Sequence, residues 1–176
     1  MIELTDKPID VARVLAAVTH PECGAEVLFV GTTRQWTEAA PSHAAEDNNR
    51  LETSHLVYEC YREMALSQLQ RLADEAHRRW PLRAYAIVHR LGRVDPSEAS
   101  VAVAVSCPHR SEAFEAAKWL IDELKHQVPI WKQEHYVQSG PEWIHPTAGN
   151  CRCDQAGQAS LEQPSSDWRQ QQSQQQ

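Results

Sequence analysis

Two stretches of helical hydrophobic periodicity, set among runs rich in β-branched residues, constrain the fold most strongly. In residues 62–80 the apolar side chains recur every three or four positions, at Ala65, Leu69, Leu72, Ala76 and Trp80. Residues 108–127 repeat this spacing at Phe114, Ala117, Leu120, Ile121 and Leu124. Pro129 then stops the pattern. Each stretch predicts a long amphipathic helix whose apolar face needs a partner layer to cover it.

Short β-rich runs surround these two helices. The runs cover residues 25–31, 51–61, 84–91, 99–106 and 130–137, and Trp143 and Ile144 predict a last short strand. Residues 10–18 have the spacing of a short helix. Hairpins alternate with crossovers in this order. We therefore expect an α+β fold with a mixed or antiparallel sheet and with the helices packed against one face.

The carboxyl-terminal segment differs in composition from the rest of the 176-residue chain. Residues 155–176 contain nine glutamines and end in a Gln/Ser run, which offers little apolar surface to offset the entropy cost of ordering it. We expect one folded domain over residues 1–146 and a Gln/Ser-rich disordered tail over residues 147–176. Residues 37–50 predict a long loop, either a functional flap or a locally disordered segment.

Charge and hydropathy exclude several classes of protein. The chain carries 17 Lys and Arg against 24 Asp and Glu, a formal net charge of −7, whereas non-specific nucleic-acid binding needs a concentrated basic face. The longest apolar runs are far shorter than the ~18 residues of a membrane span. The five cysteines include no CxxC pair, and their odd number and irregular spacing do not indicate a disulfide framework. We expect a cytoplasmic protein that binds neither nucleic acid nor membranes and holds no metal.

The segment Ser106-Cys107-Pro108-His109-Arg110 is the most informative point for chemistry. Proline suits the first position of a helix, which makes Cys107 or Ser106 the N-cap and places His109 and Arg110 in the first turn. Free N–H groups attract anions there, whereas cations are locally unfavourable. Helix physics leaves two interpretations open. Either a bound phosphate or carboxylate compensates for the cations, or Arg110 points to solvent and His109 packs.

Three further cations are candidates on weaker grounds. Arg34 follows a strand end, where an arginine can hold phosphate through two hydrogen bonds, but an exposed loop arginine is the simpler explanation. Lys125 in the last turn of a helix offsets the helix dipole, and Lys132 can protect a sheet edge. The sequence has no GxSxG, GxxxxGK[ST] or GxGxxG motif, so a hydrolase, P-loop or dinucleotide assignment lacks support.

A set of six ordered segments resembles a known family. The segments are Phe29-Val30-Gly31-Thr32-Thr33-Arg34, Arg79-Trp80-Pro81, Val88-His89-Arg90-Leu91-Gly92, Ser97-Glu98-Ala99-Ser100, His109-Arg110 and Val128-Pro129-Ile130-Trp131-Lys132. Together they resemble the large, catalytic subunit of molybdopterin synthase over about residues 1–145. The chain departs from that family in the longer loop after Arg34, in Cys107-Pro108 and in the tail.

The resemblance implies an α/β-hammerhead-like fold and a sulfurtransferase of molybdenum cofactor biosynthesis. The substrate would be a cyclic pyranopterin monophosphate, converted to molybdopterin by insertion of the dithiolene sulfurs, with no tightly bound cofactor. The sulfur would come from the C-terminal Gly-Gly thiocarboxylate of a small ubiquitin-like subunit. Large subunits of the family pair as a central dimer with one small subunit at each end.

The resemblance also assigns site residues by position. Lys125 and Lys132 match the family's two functional lysines. The family's contacts to substrate phosphate and pterin, with their flanking residues, correspond to Arg34, His109 and Arg110 and to Thr32, Thr33, Gln133 and Glu134. Since both reactants are anions, cations suit the chemistry. We expect Lys125 to stabilise charge at a thioester-like intermediate or to transfer protons, and Lys132 to orient the incoming tail or substrate.

Two other classes of protein stay open from the sequence. A non-catalytic module could bind a phosphorylated small molecule, or the ubiquitin-like partner, through Arg34, His109 and Arg110. A purely structural α+β domain would carry the lysines on its surface. Only the catalytic interpretation requires Lys125 and Lys132 to converge on the other three cations.

Overall fold

A computed structural model describes residues 1–38, 50–138 and 141–144, which form nine strands and three helices. These are β1 (Ile2–Thr5), α1 (Val11–Ala16), β2 (Ala25–Thr32), β3 (Trp36–Glu38), β4 (Arg50–Cys60), α2 (Arg62–Arg79), β5 (Ala84–Arg90), β6 (Gly92–Val94), β7 (Ala99–Cys107), α3 (Arg110–Gln127), β8 (Ile130–Tyr136) and β9 (Glu142–Ile144). The expected α+β fold is confirmed. Most of the predicted 37–50 loop and all of the predicted tail lie outside the described residues.

The first sheet has the strand order β1-β5-β7-β2, with β1 parallel to β5 and the other pairs antiparallel. Every β7 residue from Ser100 to Cys107 is buried, so this strand is covered on both faces. Its side chains alternate between large and small: valines at 101, 103 and 105 point to one face and alanines at 102 and 104 to the other.

The two long helices cover the valine face of this sheet. Leu69 and Leu72 of α2 and Leu120 and Leu124 of α3 share one core cluster with the β7 valines. The short helix α1 covers the opposite face, where its Val14 packs with the alanines of β5 and β7. The expectation that all helices share one face is therefore wrong for α1. The small side chains on that face give α1 room to pack.

A second sheet is built around β4, which pairs with β3, β6 and β8, while β8 also pairs with β9. The sequence predicted one sheet, but β4 and β8 pair with each other, from Cys60 opposite Ile130 to Thr53 opposite Tyr136. The last strand, β9, was predicted correctly. Strands β3 and β6 were not predicted, because runs of three residues are too short to show an alternation.

The start of α3 differs from the prediction. The N-cap is His109, with extended backbone, and the helix begins at Arg110 rather than at Pro108. The reason is that the carbonyl of Pro108 accepts a hydrogen bond from the Gly24 N–H at 3.2 Å. This bond prolongs the β2–β7 pairing beyond Cys107 and delays the helix.

The inward face of α3 was predicted correctly at Ala117, Leu120, Ile121 and Leu124, which are all buried. Phe114 was predicted to point inward and is 63% exposed. In that turn Ala113, which is fully buried, takes the inward position and leaves the phenylalanine on the surface.

Leu120→Ala and Phe114→Ala form a matched pair of tests on this helix. Leu120 is 0% exposed, so its truncation should lower the free energy of unfolding by about 3 kcal/mol. Truncation of the exposed Phe114 should cost less than about 0.5 kcal/mol. Urea unfolding of both variants measures the difference, and equal losses would contradict this orientation of α3.

Candidate active site

The segment that carries Thr32, Thr33 and Arg34 leaves the first sheet at an irregular point, where the β2–β7 register shifts between Gly31 and Thr32. A Cβ atom on Gly31 would lie 2.7 Å from the Cγ1 of Val101, so this close approach requires glycine. The Thr33 N–H donates to the Glu98 carbonyl at 3.0 Å. Thr33 is buried, whereas Thr32 and Arg34 are exposed. An anchored backbone thus presents Arg34 to solvent.

An ion pair holds the turn against which Thr33 is anchored. Arg90, whose side chain is 11% exposed, places its Nη1 2.9 Å from the Glu98 Oε2. The same carboxylate oxygen accepts the Asp95 N–H at 2.9 Å. Neither Arg90 nor Glu98 was predicted from the sequence to belong to the site. The structure gives them a supporting role, because they fix the turn that fixes Thr33.

Lys132 lies on β8 in a chain of three interacting side chains. Its Nζ is 2.5 Å from the Glu134 Oε1, and the Glu134 Oε2 accepts a hydrogen bond from the Tyr136 hydroxyl at 2.7 Å. The Glu134 side chain is 6% exposed and that of Lys132 is 33% exposed. A buried carboxylate therefore holds a lysine that still reaches the surface.

Tyr58 connects this lysine to the first sheet. It lies opposite Lys132 on β4 and forms a side-chain hydrogen bond with Ser100, whose hydroxyl donates to the Gly31 carbonyl at 3.2 Å. Burial is the main reason why the pKa of Tyr58 is raised. The two sheets thus meet between Lys132 and the segment that leads to Arg34.

Lys125 lies in the last turn of α3 and is exposed. Since α3 follows β7 after a short connection and packs on β7 and β2, it runs back along the sheet. Its 18 residues span about 27 Å, roughly the length of β7. The carboxyl end of α3, with Lys125, is therefore at the same end of the sheet as Arg34.

Gln133 alternates with Lys132 and Glu134 along β8 and thus points to the other face of the second sheet. Its Oε1 lies 2.9 Å from the His135 Nε2, and the His135 ring stacks on His55 with centroids 4.2 Å apart. The structure therefore does not bring Gln133 to the side of Lys132.

His109 and Arg110 lie at the opposite end of the first sheet. Arg34 lies two residues after Thr32, which pairs with Ala99 at the start of β7. His109 lies two residues after Cys107, at the end of β7. Eight residue steps of about 3.3 Å separate these ends by roughly 26 Å. Both His109 and Arg110 are exposed. One chain therefore brings Thr32, Thr33, Arg34, Lys125, Lys132 and Glu134 to one end and leaves His109 and Arg110 at the other.

The described part of the chain contains neither a cluster suited to bind a metal ion nor a helix suited to span a membrane. In residues 1–38, 50–138 and 141–144, no group of three or more His, Cys, Asp or Glu side chains could hold a metal ion. No helix within these ranges combines the length and apolar character needed to cross a membrane. The expected lack of metal and of membrane contact stays a prediction.

Comparison with known proteins identifies the class. The family model of the MoaE protein matches residues 4–127. The molybdopterin synthase catalytic subunit of Culex quinquefasciatus is 42% identical over 145 residues, which cover 81% of this chain and 85% of that protein. The corresponding subunit of Halalkalibacterium halodurans is 36% identical over 141 residues, covering 80% and 83%.

A solved structure agrees with these sequence matches. Molybdopterin synthase from Staphylococcus aureus superimposes with a TM-score of 0.71 at 34% identity, covering 81% of this chain and 95% of that one. The chain belongs to the MoaE family, the catalytic subunits of molybdopterin synthase, and is thus an enzyme subunit. The family resemblance seen in the sequence is confirmed.

His89, which contacts the Tyr58 ring edge-on with centroids 5.0 Å apart, makes stability depend on pH. It is 5% exposed, and burial lowers its pKa to about 4, with a partial offset from its hydrogen bond to the Arg90 carbonyl. The unfolded chain, with a histidine pKa of about 6.5, takes up the proton first as pH falls. The contribution of His89 to the free energy of unfolding should be fully present above pH ~6.5. It should fall by about 3 kcal/mol as the pH is lowered toward ~4.

Urea unfolding of the wild type and of His89→Gln between pH 7.5 and 4.5 measures this effect. The variant, which cannot titrate at this position, should lose less stability over that range even if it starts lower. Parallel pH profiles for the two proteins would contradict the assignment.

Proposed function

We propose that this chain converts a cyclic pyranopterin monophosphate to molybdopterin by inserting the dithiolene sulfurs. The sulfur is donated by the C-terminal thiocarboxylate of a small ubiquitin-like subunit. Relatives named catalytic subunits of molybdopterin synthase support this reaction class. What supports the proposal is that the topology leaves Arg34, Lys125 and the Glu134-bound Lys132 at the same end of the first sheet.

The local charge at this end suits two anionic reactants. The chain as a whole has a net charge of −7, so attraction of a phosphate and a thiocarboxylate depends on a local cluster of cations. Exposed Arg34 can hold phosphate through two hydrogen bonds. Lys125 stabilises negative charge that develops as sulfur is transferred, and Lys132, held by Glu134, orients the incoming tail or substrate.

Two of the three cysteines in the described chain, Cys60 and Cys107, suit a reaction in which a partner brings the sulfur. Cys107 is fully buried, and burial raises its pKa to about 11. Burial also raises the pKa of Cys60. Because the thiolate is the nucleophilic form of cysteine, neither thiol is prepared to attack a substrate near neutral pH.

In the proposed enzyme, His109 and Arg110 reach each site from a second copy of the chain. These side chains lie roughly 26 Å from Arg34 along the sheet, too far to contact the same small substrate within one chain. In a two-fold symmetric dimer each copy can place the start of its α3 at the other copy's Lys132 end, so that two equivalent sites form. The proposed enzyme is thus a central dimer with one small subunit at each site.

Lys125→Ala tests the catalytic role, with Lys118→Ala as the matched control on the same helix. Lys118 is 74% exposed and pairs with Asp122. Lys125→Ala should reduce dithiolene formation by about 100-fold or more and leave the thermal unfolding midpoint unchanged, because the side chain is exposed. Lys118→Ala should keep wild-type turnover.

The assay mixes the purified chain with a thiocarboxylated small subunit and the cyclic pyranopterin monophosphate. Unchanged turnover in Lys125→Ala would remove this lysine from the mechanism. Binding of both reactants to the wild type without product would indicate a binding module, and no binding would indicate a structural domain.

Complementation between copies tests the shared site. Lys125→Ala and Arg110→Ala chains with different affinity tags are co-expressed, and the dimer that carries both tags is purified. One of its two sites combines an intact Lys125 with an intact Arg110, so activity should return to about half of the wild-type value. Activity as low as that of either variant alone would show that each site belongs to a single chain.

A further inference from the structure

We propose that Tyr136 is a positioning residue of this enzyme: its hydroxyl fixes the Glu134 carboxylate and thereby holds the Lys132 ammonium in place for the reaction. This inference rests on the proposed function, because it concerns the same lysine. Tyr136 was not among the residues predicted from the sequence.

The three side chains occupy alternate positions of one strand. Lys132, Glu134 and Tyr136 follow each other at intervals of two residues on β8 and therefore share one face of the second sheet. The carboxylate is bound on both oxygens, by Lys132 at 2.5 Å on Oε1 and by the Tyr136 hydroxyl at 2.7 Å on Oε2. Neither oxygen is left to reorient freely.

Burial makes this double contact matter. The Glu134 side chain is 6% exposed and Tyr136 is 7% exposed, so water does not readily replace a lost partner, and a buried carboxylate with an empty oxygen is costly. If the tyrosine hydroxyl is removed, Oε2 loses its donor and the carboxylate gains by turning toward solvent. This movement draws Oε1 away from the Lys132 ammonium group, which is then held less firmly.

Tyr136 is suited to act as a constant donor. Burial, followed by its hydrogen bond to Glu134, raises its pKa, so the hydroxyl keeps its proton throughout the neutral range. The other tyrosine on this face, Tyr58, lies opposite Lys132 but directs its hydroxyl to Ser100. Tyr58 therefore does not substitute for Tyr136 at the carboxylate.

Tyr136→Phe keeps the buried ring and removes only the donor, and Tyr61→Phe, at a residue 59% exposed, is the matched control. Two readouts are compared. The first is kcat and KM of the complex with the thiocarboxylated small subunit, where kcat should fall about tenfold, as for loss of a hydrogen bond to a charged group, while KM stays within about twofold. The control should match the wild type in both constants.

The second readout does not depend on activity. The chain alone is acetylated with an N-hydroxysuccinimide ester, and modification of each of its four lysines is followed by peptide mass spectrometry. Acetylation of Lys132 should be several-fold faster in Tyr136→Phe than in the wild type, while Lys7 reacts at the same rate in both. If Tyr136→Phe does not fold, Glu134→Gln, which removes the negative charge that holds the lysine, should accelerate the same modification.

The outcomes separate this proposal from the proposed function. An unchanged Lys132 acetylation rate in Tyr136→Phe overturns the positioning role whatever the activity. Faster acetylation with unchanged kcat overturns its relevance to the reaction if Lys132→Ala is inactive. If Lys132→Ala is fully active, the assignment of Lys132 in the proposed function fails, and Tyr136 loses its catalytic significance even where acetylation shows that it holds the lysine.

Discussion

Burial of β7 on both faces is the constraint on which the arrangement of the molecule depends. Its valines require the two long helices on one side, and its alanines admit the short helix α1 on the other. Because α3 is about as long as β7, its carboxyl end returns to the start of that strand. The same packing that forms the core thus decides which functional side chains share an end of the sheet.

The second constraint is the cost of burying charge. Glu134 and Arg90 are both largely buried, and each lies beside a partner of opposite charge, Lys132 and Glu98 respectively. Such pairs hold geometry more than they add net stability. Here one pair fixes a lysine and the other fixes the turn behind Arg34, so an acidic chain can still present a cationic end.

Much of the fold follows from local patterns. The spacing of Leu69 and Leu72 or of Leu120 and Leu124 predicts each long helix and its inward face, since helical periodicity reports burial directly. The same spacing fails at Phe114, where a neighbouring alanine takes the inward position. The preference of proline for the first helical position also misplaces the start of α3 at Pro108, whose carbonyl accepts a hydrogen bond from Gly24, a residue distant in sequence.

The sequence by itself determined the class of the fold, the two long helices, most of the strands and, through six ordered segments, the family. Only the tertiary structure decided which candidate cations meet, because the register between distant strands depends on packing over the whole core and not on local pattern. It separated His109 and Arg110 from Arg34 by the length of β7 and turned Gln133 away from Lys132. Lys132, Glu134 and Tyr136 are spaced two residues apart in the sequence. Only the structure shows that their side chains contact one another along one face of β8.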